Sequence, residues 1–130
     1  MSYEIDIQFT AESATRTLPL VRRIVEDILK SERQLQLLLQ EHGEYAPLEP
    51  DYRQEKSWID QFKDELADLG CAYREHNADV ALVEYPSEIN GESIVLCWRS
   101  DEDRVAYYYP IGGSYEDRLP VPGVLQSIGM

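Results

Sequence analysis

The sequence predicts an α+β fold in which a long antiparallel helical hairpin packs on a small antiparallel β-sheet. Three observations carry this expectation. Apolar residues recur at helical spacing from Leu20 to Glu41 and again from Asp51 to Leu69. The connector between them, Tyr45-Ala46-Pro47-Leu48-Glu49-Pro50, cannot stay helical. Beyond Gly70 the pattern changes to short alternating runs separated by turn residues.

The elements follow in order. From Tyr3 to Phe9 apolar and polar residues alternate strictly, which reads as a half-buried strand joining the later ones. Thr10 suits a helix N-cap, and Ala11 to Leu18 reads as a short helix or turn. Pro19 lacks the helical N–H, so it marks either a kink or the first turn of a new helix. In the first long helix Val21, Ile24, Ile28, Leu35 and Leu38 lie near one face, and Leu20, Val25, Leu29 and Leu39 widen it. Such a helix spans ~33 Å. Gly43 is its C-terminal stop.

In the second helix Trp58 or Ile59, Phe62, Leu66 and Leu69 recur at three or four residues, with Gly70 as the stop. Two long helices with a short connector bury their stripes by packing antiparallel. Strands are expected at Cys71–Glu75, Val80–Tyr85 ended by Pro86, Ser93–Arg99 and Arg104–Tyr109. Asn90-Gly91 is a hairpin turn signal, because both residues tolerate positive φ. In Ser93–Arg99, Ile94, Leu96 and Trp98 share one face, and Val95 and Cys97 the other. The tail 110–130, with three prolines and four glycines, is expected to be mostly irregular, wrapping the domain or a partner. The expected organisation is thus one domain over 1–130, with the hairpin at about 11–69 and the sheet from 3–9 and 71–110.

Composition narrows function. The 130 residues are 43% hydrophobic and 28% charged, as in globular proteins. Lys and Arg number 12 against 25 Asp and Glu, for a net charge of −13. That excess argues against binding nucleic acid or an anionic membrane surface. No apolar run approaches the ~20 residues of a membrane span, and the N-terminus shows no secretion signal. A cytoplasmic protein is expected. Cys71 and Cys97 do not make a disulfide scaffold.

Chemistry-bearing motifs are sparse. His42 and His76 lie in different segments, and no HExxH, CxxC or calcium-loop spacing occurs. Glu75-His76 with Asp79 and Glu84 reads as a polar loop rather than a metal site. Carboxylates such as Glu55, Asp60, Asp64 and Asp68 read as a solvated helix face. Cys97 sits among apolar neighbours and reads as packing, since a reactive thiolate needs an adjacent positive group. No Gly-x-Ser-x-Gly or phosphate loop is present. No catalytic residue, metal or cofactor is therefore assigned.

Two features stand out. Six of the nine tyrosines lie between Tyr73 and Tyr115, and Tyr107, Tyr108 and Tyr109 are consecutive, so tyrosines occupy both faces of a strand. Cross-strand packing explains this, and so does a binding surface. Beyond Leu66 the bases are Arg74, Arg99, Arg104 and Arg118, against eleven acids. Scarce arginines in an acidic region are commonly paired with carboxylates.

Several motifs resemble the bacterial family called domain of unknown function 2203. Phe9-Thr10-Ala11-Glu12-Ser13-Ala14 with Leu18-Pro19-Leu20-Val21-Arg22 resembles its opening. Ala81-Leu82-Val83-Glu84-Tyr85-Pro86 resembles its Gly-Leu-Val-Asp-Phe-Pro, and Leu96-Cys97-Trp98-Arg99 its Leu-Cys-Trp-Arg. Ala106-Tyr107-Tyr108-Tyr109 stands in place of a usual Tyr-Trp-His, so Tyr109 replaces a His. Ser114 and Asp117, around Tyr115, stand where members usually have Gly. Arg118-Leu119-Pro120 resembles the family's Arg-x-Pro near the end. The resemblance implies the order of elements and assigns no activity.

Two functional expectations follow. The first is a non-catalytic interaction or scaffold module, a homo-oligomer, because the helical stripes are wider than one intramolecular seam needs. The second is an enzymatic or small-molecule module for an anionic ligand, with a site at Glu84, Trp98, Arg99, Tyr109 and Arg118.

Overall fold

A computed structural model describes residues 8–124. Of the predicted strand Tyr3–Phe9, positions 3–7 lie outside the described residues. Phe9 makes one parallel bridge, to Ser87. Helix α1, Ala11–Arg16, starts where Thr10 accepts from the Ser13 N–H at 3.0 Å and Ser13 Oγ accepts from the Thr10 N–H at 2.9 Å. This reciprocal cap satisfies two donors that a helix start leaves free. Pro19 turns out to mark a restart: it lies in the first turn of α2, Leu18–His42, where its missing N–H costs no bond. The Thr17 hydroxyl donates to the Ala14 carbonyl at 2.6 Å and lies 2.8 Å from Tyr85 Oη, tying this junction to the sheet.

Gly43, at φ +58°, ends α2, and a 3₁₀ helix, Gly43–Leu48, leads into α3, Pro50–Asp68. The late half of α2 faces the early half of α3, so the helices are antiparallel as expected. Five strands follow: β1 Ala72–Glu75, β2 Ala81–Ile89, β3 Glu92–Arg99, β4 Tyr107–Pro110 and β5 Leu119–Pro120. They pair antiparallel in the order β1-β2-β3-β4-β5. Asn90 and Gly91, at φ +53° and +82°, form the two-residue β2–β3 turn.

Two expectations need correction. First, β2 does not stop at Pro86. Ser100 N–H donates to the Ala81 carbonyl at 2.9 Å. In an antiparallel ladder this directs the odd-numbered residues of β2 toward β3 and the even-numbered ones toward the other edge. Pro86 therefore loses no bond to β3, and its carbonyl accepts from Phe9 N–H at 2.8 Å. Secondly, Arg104–Ala106 precede β4 instead of belonging to it, because Val105 N–H donates to Thr15 Oγ1 of α1 at 3.0 Å. Within the tail a short stretch is ordered against β4. Leu119 and Pro120 pair with Tyr108 and Tyr107, and Val121 N–H donates to the Ala106 carbonyl at 2.8 Å.

The core lies between the hairpin and one sheet face. It contains Val21, Ile24, Val25 and Ile28 of α2, Ile59 and Leu66 of α3, and Val83, Tyr85, Ile94, Leu96 and Trp98 of the sheet. Burial on α2 ends at Ser31, while Leu37 remains exposed. Trp98 is 0% exposed, and its indole N–H donates to the Glu102 carbonyl at 2.9 Å. Trp98→Ala is expected to lower unfolding free energy by about 3–5 kcal/mol, the range for truncating a buried aromatic. Urea denaturation measures it, and a loss below about 1 kcal/mol contradicts the placement of Trp98 in the core.

Candidate functional site

The sheet face opposite the helices carries the chemistry. Strand alternation places Leu82 and Glu84 of β2, Val95, Cys97 and Arg99 of β3, and Tyr107 and Tyr109 of β4 on that face. The registers Leu82↔Arg99, Glu84↔Cys97 and Val95↔Tyr109 set them side by side. Leu82, Cys97 and Tyr109 form a small second core, with Val95 and Tyr115 packed against it. A 3₁₀ turn, Tyr115–Asp117, brings Tyr115 over this patch. Ser114 caps it: Ser114 N–H donates to Asp117 Oδ2 at 2.9 Å.

Each cation here already holds an anion. Arg118 donates from both terminal nitrogens to Glu102, at 3.0 and 2.8 Å, and to the Cys97 carbonyl at 3.2 Å. The two side chains are 11% and 15% exposed. The Arg118 guanidinium lies 4.4 Å from the Tyr107 ring centroid and 4.5 Å from that of Tyr115. Burial alone would pull its pKa down, but the hydrogen bonds and charge of Glu102 leave it above the ordinary value. Arg99 donates to Asp101 at 2.6 Å, which holds the Asp101 carboxyl below its usual range, and also to Tyr115 Oη. Glu84 accepts from Arg74 at 3.1 Å and from the Tyr109 hydroxyl.

The five sequence-predicted positions therefore separate. Glu84, Arg99, Tyr109 and Arg118 share the outer face, joined through Cys97, Glu102 and Tyr115. Trp98 does not join them, because it is next to Arg99 in β3 and so points to the helices. A groove of about 680 Å³ opens at the β2 edge, and of the five only Glu84 lines it. Sequence reasoning missed Glu102, Tyr115 and His76. The last packs against Tyr115 with ring centroids 4.6 Å apart and the planes tilted by 52°. The available signal was the scarcity of arginine, which foretold partners without naming them.

The remaining chemistry is quiet. Burial pushes both thiols, Cys71 and Cys97, up to about 11, so neither is an available thiolate near neutral pH. Among the described residues, no group of three His, Cys, Asp or Glu is placed to hold a metal ion. No described helix is long and apolar enough to cross a membrane.

Residues 8–121 match the family described as "Uncharacterized conserved protein (DUF2203)". The chain belongs to the DUF2203 family. No curated protein and no solved structure matches it. The motifs that carry the family resemblance include the central strands β2, β3 and β4, and Arg118 with β5. They coincide with the outer-face network and its latch.

The network makes the two arginines unequal. Arg118→Ala strands the largely buried Glu102 carboxylate and is expected to cost about 2–4 kcal/mol. Arg99→Ala breaks a more exposed pair and is expected to cost less than about 1 kcal/mol. Guanidinium denaturation of both variants checks the difference, and equal losses contradict it.

Proposed function

We propose that this DUF2203 member is a cytoplasmic, non-catalytic interaction module that self-associates through its helical hairpin. The supporting observation is an exposed Trp58 beside an exposed Leu37. They are 42% and 57% exposed, and both line a groove of about 320 Å³ formed by α2 and α3 alone. Tryptophan is the residue type most enriched in interface hot spots, because its large area is buried with little loss of side-chain entropy. Neutral Gln34 and Gln54 also line the groove, together with Glu41, Asp51 and Glu55. An aromatic centre with a polar rim is the anatomy of a modest interface. A two-fold pairing of the same face would bury Trp58 on both copies and extend the hairpin into a four-helix arrangement.

The anionic-ligand reading is weaker. Arg99 and Arg118 already hold carboxylates, so an incoming anion must displace a partner that is covalently part of the same chain.

Charge makes self-association testable. Two copies of a −13 chain repel, and salt screens that repulsion. Sedimentation velocity is expected to show a monomer–dimer equilibrium that shifts toward dimer between ~0.05 and ~0.5 M salt. Trp58→Ala is expected to abolish the dimer with little loss of fold, since alanine is the best helix former. A monomer at every salt and protein concentration, or a Trp58→Ala variant that dimerises like the parent, contradicts the proposal.

A further inference from the structure

A second cleft, of about 520 Å³, opens where α2, α3 and the β1–β2 connection meet. Its volume falls in the range of small-molecule sites. Buried Ile59 and half-buried Leu35 and Leu39 give it an apolar wall. Its charged lining balances, with Arg33, Lys56 and Lys63 set against Glu32, Asp60 and Glu75. That balance is unusual in a chain carrying −13.

Lys63 offsets part of the Glu32 charge, but among the described residues the cleft charges do not close into ion pairs. On the outer sheet face Arg74, Arg99 and Arg118 each form a salt bridge. Among the described residues, none of the six cleft charges does so. Glu32 is held instead by the Tyr73 hydroxyl, which donates to it at 3.1 Å, and Lys63 Nζ lies 5.2 Å from the Tyr73 ring centroid. Partial burial raises the Glu32 pKa and the neighbouring Glu75 raises it further, while the Tyr73 hydrogen bond and the Lys63 charge lower it; burial prevails, so the carboxylate still lacks part of its compensating positive charge. A ligand ammonium would supply that charge. Lys56 and Lys63 offer donors to a carboxylate, and the apolar wall accepts a hydrocarbon group.

We infer that this cleft binds a small zwitterion bearing an apolar side group, of the α-amino-acid or short-peptide class. A neutral overall ligand fits the balanced lining and avoids the repulsion that the whole chain exerts on a free anion. The ammonium sits against Glu32 and Glu75, the carboxylate against Lys56 and Lys63, and the side group against Leu35, Leu39 and Ile59. This site is separate from the Trp58 groove, which shares no lining residue with it.

The test is a two-dimensional amide NMR titration of the full chain with L-phenylalanine. 3-Phenylpropionate, which lacks the amine, and phenethylamine, which lacks the carboxylate, are the comparison probes. Saturable shifts are expected at Glu32, Lys63 and Glu75 to Ala78, with L-phenylalanine bound at least about tenfold more tightly than either probe. Glu32→Gln keeps an acceptor for Tyr73 but removes the charge, and is expected to weaken binding about tenfold. Lys56→Gln, at an exposed position with no bond to lose, provides a second variant and is expected to weaken it as well. No saturable shift with L-phenylalanine overturns the inference. So does binding of 3-phenylpropionate or phenethylamine as tight as that of L-phenylalanine, or unchanged affinity in both variants.

Discussion

Glu102 is where the two faces of the sheet are joined. Its carboxylate folds back on β3, accepting from the Arg99 N–H at 2.8 Å, and grips Arg118 with both oxygens. Its carbonyl accepts from Trp98 Nε1 at 2.9 Å and from Arg22 of α2 at 3.1 Å. One residue in a short turn therefore satisfies the central core tryptophan, a helix arginine and the arginine that anchors the tail. A largely buried ion pair adds little net stability over an apolar pair, but removing one partner is costly because it leaves an uncompensated charge. What such a pair contributes here is position: it anchors Arg118, the residue just before β5, to Glu102 and to the Cys97 carbonyl of β3.

From this constraint comes the division of the molecule. The helical face of the sheet is apolar and closed by α2 and α3. The outer face is polar, yet each of its salt-bridged cations meets a carboxylate from its own chain, so it behaves as a second, wetter core under Tyr115. Two further openings lie on the hairpin, where the buried stripe of α2 has ended at Ser31. There the two helices leave Trp58 and Leu37 uncovered, and together with the β1–β2 connection they form the apolar, charge-lined cleft.

Much of this was legible in the sequence because it depends on local rules. Helical spacing placed α2 and α3, Asn90-Gly91 placed the central hairpin, and alternation in β3 separated Trp98 from Cys97. The failures were long-range. Pro86 stays inside β2 only because its empty N position faces away from β3, which depends on register and not on proline itself. Leu119 and Pro120 pair with β4 right after the Arg118–Glu102 contact, and no periodicity encodes either. The site residues behaved similarly. Residue type flagged Arg99, Arg118, Glu84 and Tyr109, but Glu102 looked like any acid in a polar turn, and Trp98 was grouped with the site residues although strand alternation sets it on the opposite face.

Glu102 couples both faces of the sheet. Hydrogen exchange read by mass spectrometry on Glu102→Ala tests this most directly. Protection is expected to fall in the tail segment 107–121 and also in the first turns of α2 around Arg22, with smaller change in α3. Loss confined to the tail, with α2 and β3 exchanging as in the parent, would show that Glu102 serves the outer face alone and would contradict the central claim.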